Sequence, residues 1–119
     1  MIRFTALFLV AMSLSAQAQE AVTDSNGATL RALDKLTGKV TDMELSKGER
    51  QALGRIEVEL DDCRYPEGNP AGDAYAFVTI RESGKPDPIF RGWMVASAPA
   101  LNAMDHARYD VWAMRCQTS

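Results

Sequence analysis

The sequence predicts an all-β domain, a small antiparallel sandwich or barrel of about six strands with one short helix between the last two. Two observations carry this. Apolar and polar residues alternate in short runs, most cleanly in Arg55 to Leu60, where Ile56, Val58 and Leu60 face one side and Arg55, Glu57 and Glu59 the other. Those runs are separated by clusters of Gly, Pro, Asn, Asp and Ser, the residues that turn a chain sharply.

The chain opens MIRFTALFLVAMSLSAQAQE. Arg3, the apolar run Phe4 to Leu14 and the small-x-small pattern Ala16-Gln17-Ala18 have the layout of a secretory signal peptide. The run is shorter than the roughly 20 residues of a membrane span, so residues 1–18 are expected to be a cleaved leader. No later segment is long or apolar enough to span a bilayer. Residues 19–27 are polar and without period, and are expected to form a flexible arm. A single β domain, 28–119, should come after it. Ala28 to Asp34 and Val40 to Leu45 read as strands joined by a tight turn at Thr37-Gly38. Leu30, Leu33 and Leu36 also fit helical spacing, but a helix would have to stop almost at once at Gly38, so a hairpin is expected.

Ser46 to Glu49 supplies the next turn, before the strand Arg55 to Leu60. Asp61 to Asp73 (DDCRYPEGNPAGD) has the composition of a loop, Ala74 to Arg81 is again strand-like, and Ser83 to Pro88 makes a stiff turn. Two apolar strands end the chain, Ile89 to Val95 and Tyr109 to Met114. Between them, SAPALNAMDH reads as a short helix. Ser97 suits an N-cap, Pro99 is tolerated in a first turn, Leu101 and Met104 share a face, and Asp105-His106 closes it.

There are 13 Lys+Arg against 16 Asp+Glu, a net charge of −3, and removing Arg3 with the leader makes the remainder slightly more acidic. Interspersed signs without a basic stripe argue against a nucleic-acid partner. The two cysteines, Cys63 and Cys116, offer neither a C-x-x-C redox site nor a structural zinc set. In an oxidising compartment such a pair forms a disulfide.

Ser97, His106 and Asp105 or Asp110 are the residue types of a hydrolase triad, but Ser97 lacks the G-x-S-x-G turn that presents a nucleophile. Cap and turn roles are expected for them instead. Asp105, His106 and Asp110 are also a thin set of metal ligands. The acidic stretch Asp61, Asp62, Glu67, Asn69 and Asp73 lacks the spacing of a calcium loop, so no metal or cofactor is expected. The stronger anomaly is apolar. The last two strands carry large side chains on both faces, which directs attention to Trp93, Met94, Trp112 and Met114 as a binding surface unless the intervening helix covers them.

Two blocks, ATLRALDKLTGKVT (Ala28 to Thr41) and FRGWMVASAPALNAMDHARYDVWAMRC (Phe90 to Cys116), resemble the small exported bacterial family catalogued as domain of unknown function 2155, common in alphaproteobacteria. The resemblance implies a periplasmic placement and carries no established activity, ligand or catalytic residue. It also places both cysteines where the family has them, which adds to the disulfide expectation. One conflict results. Strict alternation from Ile56 turns Cys63 outward with Glu57 and Glu59, so a bulge or turn at Asp61-Asp62 is required if it is to meet Cys116 inside. The functional expectation is a non-enzymatic periplasmic domain that acts by binding an envelope protein assembly. The alternatives are a carrier of a small hydrophobic ligand and a hydrolase using Ser97 and His106.

Overall fold

The computed structural model describes residues 21–118. The leader read at 1–18 lies outside the described residues. Among the described residues there are eight strands: β1 (Val22–Ser25), β2 (Gly27–Asp34), β3 (Val40–Ser46), β4 (Arg50–Leu53), β5 (Ile56–Pro66), β6 (Tyr75–Glu82), β7 (Pro88–Val95) and β8 (Tyr109–Cys116). They form two antiparallel sheets. The first has the order β1-β5-β6-β7, with β4 also paired to β5, and the second the order β3-β2-β8. The class is all-β, as the alternation requires, and the sheets do not close into a barrel.

One core fills the space between the sheets. Leu30, Met43, Leu45, Ile56, Val58, Leu60, Val78 and Ile80 are wholly shielded from solvent, and Tyr109 and Val111 nearly so. Each comes from one face of its strand, the outcome that period-two patterning dictates. The hairpin prevails over the helix at β2–β3: Leu30 is buried, whereas Leu36 is 75% exposed in the turn. Asp34 organises that turn by accepting amides from Leu36 and Thr37.

Three expectations about particular segments are corrected, and the expected six or so strands become eight among the described residues. Within the segment read as a flexible arm, 19–27, Val22–Ser25 is a strand, because it lies along β5 opposite Cys63 to Pro66. Arg50–Leu53 is likewise a strand, paired to the start of the long β5. β5 itself runs to Pro66, so Asp61 to Pro66 belongs to the sheet rather than to a loop. Finally, no helix joins β7 to β8; 96–108 is a chain of turns. Ser97 does not cap a helix: its hydroxyl bonds the Asp73 carboxylate at 2.5 Å and its amide the other Asp73 oxygen at 2.9 Å. Leu101 is 77% exposed while Met104 is buried, so the two share no face. Asn102 donates to the Trp93 carbonyl at 2.9 Å, lying over Gly92, where any Cβ would meet its amide nitrogen at 2.7 Å. Those bonds outside the segment outcompete a local helix that would have had only about two turns.

Cys63 and Cys116 are joined, and the disulfide links β5 of one sheet to β8 of the other. Both strands reach it by the same device. In β5, Leu60 faces Val78 and Asp62 faces Phe77, leaving Asp61 as an extra residue. In β8, Ala113 faces Leu30 and Arg115 faces Thr29, leaving Met114 as an extra residue. Each bulge lies two residues before its cysteine and reverses the inside-outside parity of the rest of its strand. Without them Cys63 would point outward with Glu57 and Glu59, and Cys116 with Asp110 and Trp112. The Asp61 carboxylate is fixed by the buried Thr79 hydroxyl at 2.6 Å, which anchors the first bulge.

Candidate functional site

Two places on the molecule combine exposure with chemistry. The first is the outer face of the larger sheet. Cross-strand register sets Phe77 opposite Trp93 and Tyr75 opposite both Arg64 and Val95. These positions point outward because their neighbours Ala76, Val78 and Met94 point into the core. The Phe77 and Trp93 rings meet edge to face with centroids 5.2 Å apart. Arg64 lies over the Trp93 ring at 5.1 Å and Arg91 over the Phe77 ring at 5.8 Å. Trp93 keeps 36% of its surface in solvent, and Val22, at the sheet's edge, keeps 41%. Arg64 is tied to Asp24 and Asp62, both at 3.1 Å. Among the described residues Arg91 has no carboxylate partner.

The four residues expected to form one surface are divided among three environments. Trp93 is on this exposed face, and Met94 is in the core at 3% exposure. Trp112 and Met114 are half-buried on β8, in the other sheet. Trp112 borders a shallow hollow with Pro99, Ala100, Ala103 and Asp110, so the 96–108 connection sits beside it much as the expected helix would have done. Tyr75 and Phe77 were missed, although Ala74 to Arg81 alternates and leaves both aromatics on the face opposite Ala76, Val78 and Ile80.

The second place is a cavity of about 480 Å³ where the β4–β5 turn, the end of β6 and the approach to β8 meet. Its walls include Arg55, Glu82, Ser83, His106, Arg108 and Tyr109. His106 is held by backbone: its Nδ1 accepts the amides of Arg108 at 3.0 Å and Tyr109 at 3.1 Å, and its ring leans on the Tyr109 ring. Because both amides donate to Nδ1, the ring proton is on Nε2. That atom faces Glu82 Oε1 across 4.0 Å. Lys85 bonds Glu82 and holds its carboxyl below the usual carboxylate range.

Arg108 is committed to Asp34 through a forked pair of bonds. That pairing lowers the Asp34 carboxyl below its usual range, with the Leu36 and Thr37 amides contributing against burial. Lys35 adds a bond to the His106 carbonyl at 2.6 Å. The Tyr109 hydroxyl accepts the Arg55 amide at 3.1 Å and lies against Gly54. At that residue φ is +57°, and a Cβ would run into the phenol oxygen, so both conformation and space call for glycine.

The polar candidates are thus dispersed. Ser97 serves Asp73, and burial, which alone would raise the Asp73 carboxyl, is outweighed by the Ser97 hydroxyl and the Ser97 and Ala74 amides, so it stays below the usual range. His106 serves the turn before β8, and Asp110 lies beside Trp112. In the acidic stretch, Asp61 bonds Thr79, Asp62 meets Arg64 and Lys47, and Asp73 clamps Ser97. Among the described residues no group of three or more His, Cys, Asp or Glu is placed to hold a metal ion. No helix there is long and apolar enough to cross a membrane.

The fold and its surface therefore define a two-sheet, disulfide-linked β domain with an aromatic outer face and a charged end cavity. The chain belongs to the family described as "Uncharacterized protein conserved in bacteria (DUF2155)", which it matches over residues 28–116, from the second residue of β2 to the second cysteine. It is also similar to "Uncharacterized protein RP359" of Rickettsia prowazekii (strain Madrid E), with 32% identity over 95 residues. That alignment covers 77% of this chain and 61% of the relative, so the match spans less than two thirds of the relative's length. No solved structure matches it.

Proposed function

We propose that this chain is a non-enzymatic exported domain that works in the periplasm by binding, as an adaptor to a protein assembly of the cell envelope. The observation that supports this is the outer face of the larger sheet. The outer face of a two-layer β domain is ordinarily polar, and here Tyr75, Phe77 and Trp93 occupy it with arginines stacked over two of the rings. Tryptophan, tyrosine and arginine are enriched among the residues that dominate interface energetics, and the aromatic rings bury large area at low entropic cost. The leader-like residues 1–18 and the linked cysteines fit an oxidising, extracytoplasmic setting.

The alternatives have less to support them. A carrier of an apolar ligand calls for an enclosed apolar pocket, whereas the 480 Å³ cavity is walled by Arg55, Glu82, His106 and Arg108. A hydrolase needs Ser97 and His106 to share a proton, whereas Ser97 is bonded to Asp73 and the His106 Nδ1 to two amides.

The test is capture from envelope extracts with crosslinking, using the tagged wild type, Trp93→Ser and Trp112→Ala. A specific protein retained by the wild type and lost with Trp93→Ser supports the adaptor. Equal recovery with Trp93→Ser, or no specific protein at all, refutes it.

A further inference from the structure

The end cavity contains an arrangement that the fold does not use. Arg55 is exposed on its wall and has no carboxylate partner among the described residues. Arg108, the neighbouring guanidinium, is consumed by Asp34. On the same walls, the Nε2–H of His106 and the carboxylate of Glu82 face each other at 4.0 Å, too far for a hydrogen bond and close enough to share one oxygen between them. The group that fits between must accept from the imidazole and donate to the carboxylate. A hydroxyl does both; a second carboxylate cannot donate, and an ammonium cannot accept. His106 and Tyr109 line the cavity beside that position, and the volume lies within the range of small-molecule sites.

We propose that this cavity binds a small hydroxy acid, the acidic sugars included, with its carboxylate on Arg55 and a hydroxyl bridging His106 and Glu82. A phosphate monoester is disfavoured, since its second charge would face Glu82. The site shares no residue with the Trp93 face, so it stands or falls separately from the adaptor role.

The experiment is an amide-resolved NMR titration of the disulfide-bonded protein with glucuronate and lactate as hydroxy acids, glucose as the hydroxyl-only probe and propionate as the carboxylate-only probe. At least one hydroxy acid should give saturable shifts at Gly54, Ser83, Arg108 and Tyr109, with glucose and propionate binding about tenfold or more weakly. Arg55→Met should weaken that binding about tenfold to a hundredfold, Arg55→Lys less, and Glu82→Gln severalfold. Neither hydroxy acid saturating at tens of millimolar overturns the proposal. So does propionate or glucose binding as tightly, or Arg55→Met binding like the wild type.

Discussion

Replacing both cysteines by alanine removes the disulfide between the two sheets, and its cost can be worked out in advance. The bridged residues are 53 apart in sequence. Closing a loop of that size costs the unfolded chain entropy worth about 4 kcal/mol at 25 °C in the chain-entropy account. With an unfolding entropy of about 2.1 cal/mol/K per residue, that becomes a fall of roughly 20 °C in Tm for a domain of about 100 residues. Both sulfurs are buried, so their loss acts in the same direction. The assay is thermal unfolding followed by circular dichroism without reductant, on Cys63→Ala, Cys116→Ala and the double variant. Either single change opens the same loop, so each should cost nearly as much as the double. A fall under about 5 °C, or single effects that sum to the double, would refute the loop argument. The bulge argument has its own test. Deleting Asp61 removes the extra residue but leaves Cys63 opposite Ala76 on the inner face, so thiol titration should find no free cysteine; two free cysteines would overturn the parity argument.

Three further outcomes are expected. Tyr109→Phe leaves the Arg55 amide without its acceptor and should destabilise by about 1 kcal/mol in denaturant melts, while Gly54→Ala should cost more, since strain at positive φ adds to the collision with the phenol. Trp112→Ala, at a half-buried ring, should cost about 1–2 kcal/mol, less than the 3–5 typical of a core tryptophan. The Asp73 clamp should be lost in acid. Its carboxyl is lower in the folded than in the unfolded chain, so its contribution is full above about pH 4 and disappears as pH falls through the lower folded value. Asp73→Asn should therefore be the less stable protein at pH 7, with the difference from wild type shrinking on acidification; a gap that is constant down to pH 2 would contradict the clamp.

Most strands were legible in the sequence because burial between two sheets imposes a period of two that each strand carries locally. Ile56-Val58-Leu60 and Ala76-Val78-Ile80 show it without reference to anything else. The alternation even exposed its own exception, since Cys63 fell on the wrong face and required the irregularity found at Asp61. The same reasoning applied to Tyr109, Val111 and Ala113 would have required the second bulge, at Met114. β1 and β4 carried no such pattern, because four residues along one edge of β5 leave too little surface to bury.

By itself the sequence determined the all-β class, the main turns and the pairing of its two cysteines, which follow from local composition and period. Tertiary structure decided the rest. Ser97 abandons a helix cap for Asp73, 24 residues away, and Lys35 reaches the His106 carbonyl from 71 residues away. It also set Trp93 in one sheet and Trp112 and Met114 in the other, and brought Arg55, Glu82 and His106 around one cavity. The physical reason is that period reports which side of a strand is buried, whereas a polar side chain takes whichever partner the finished fold brings within hydrogen-bond reach.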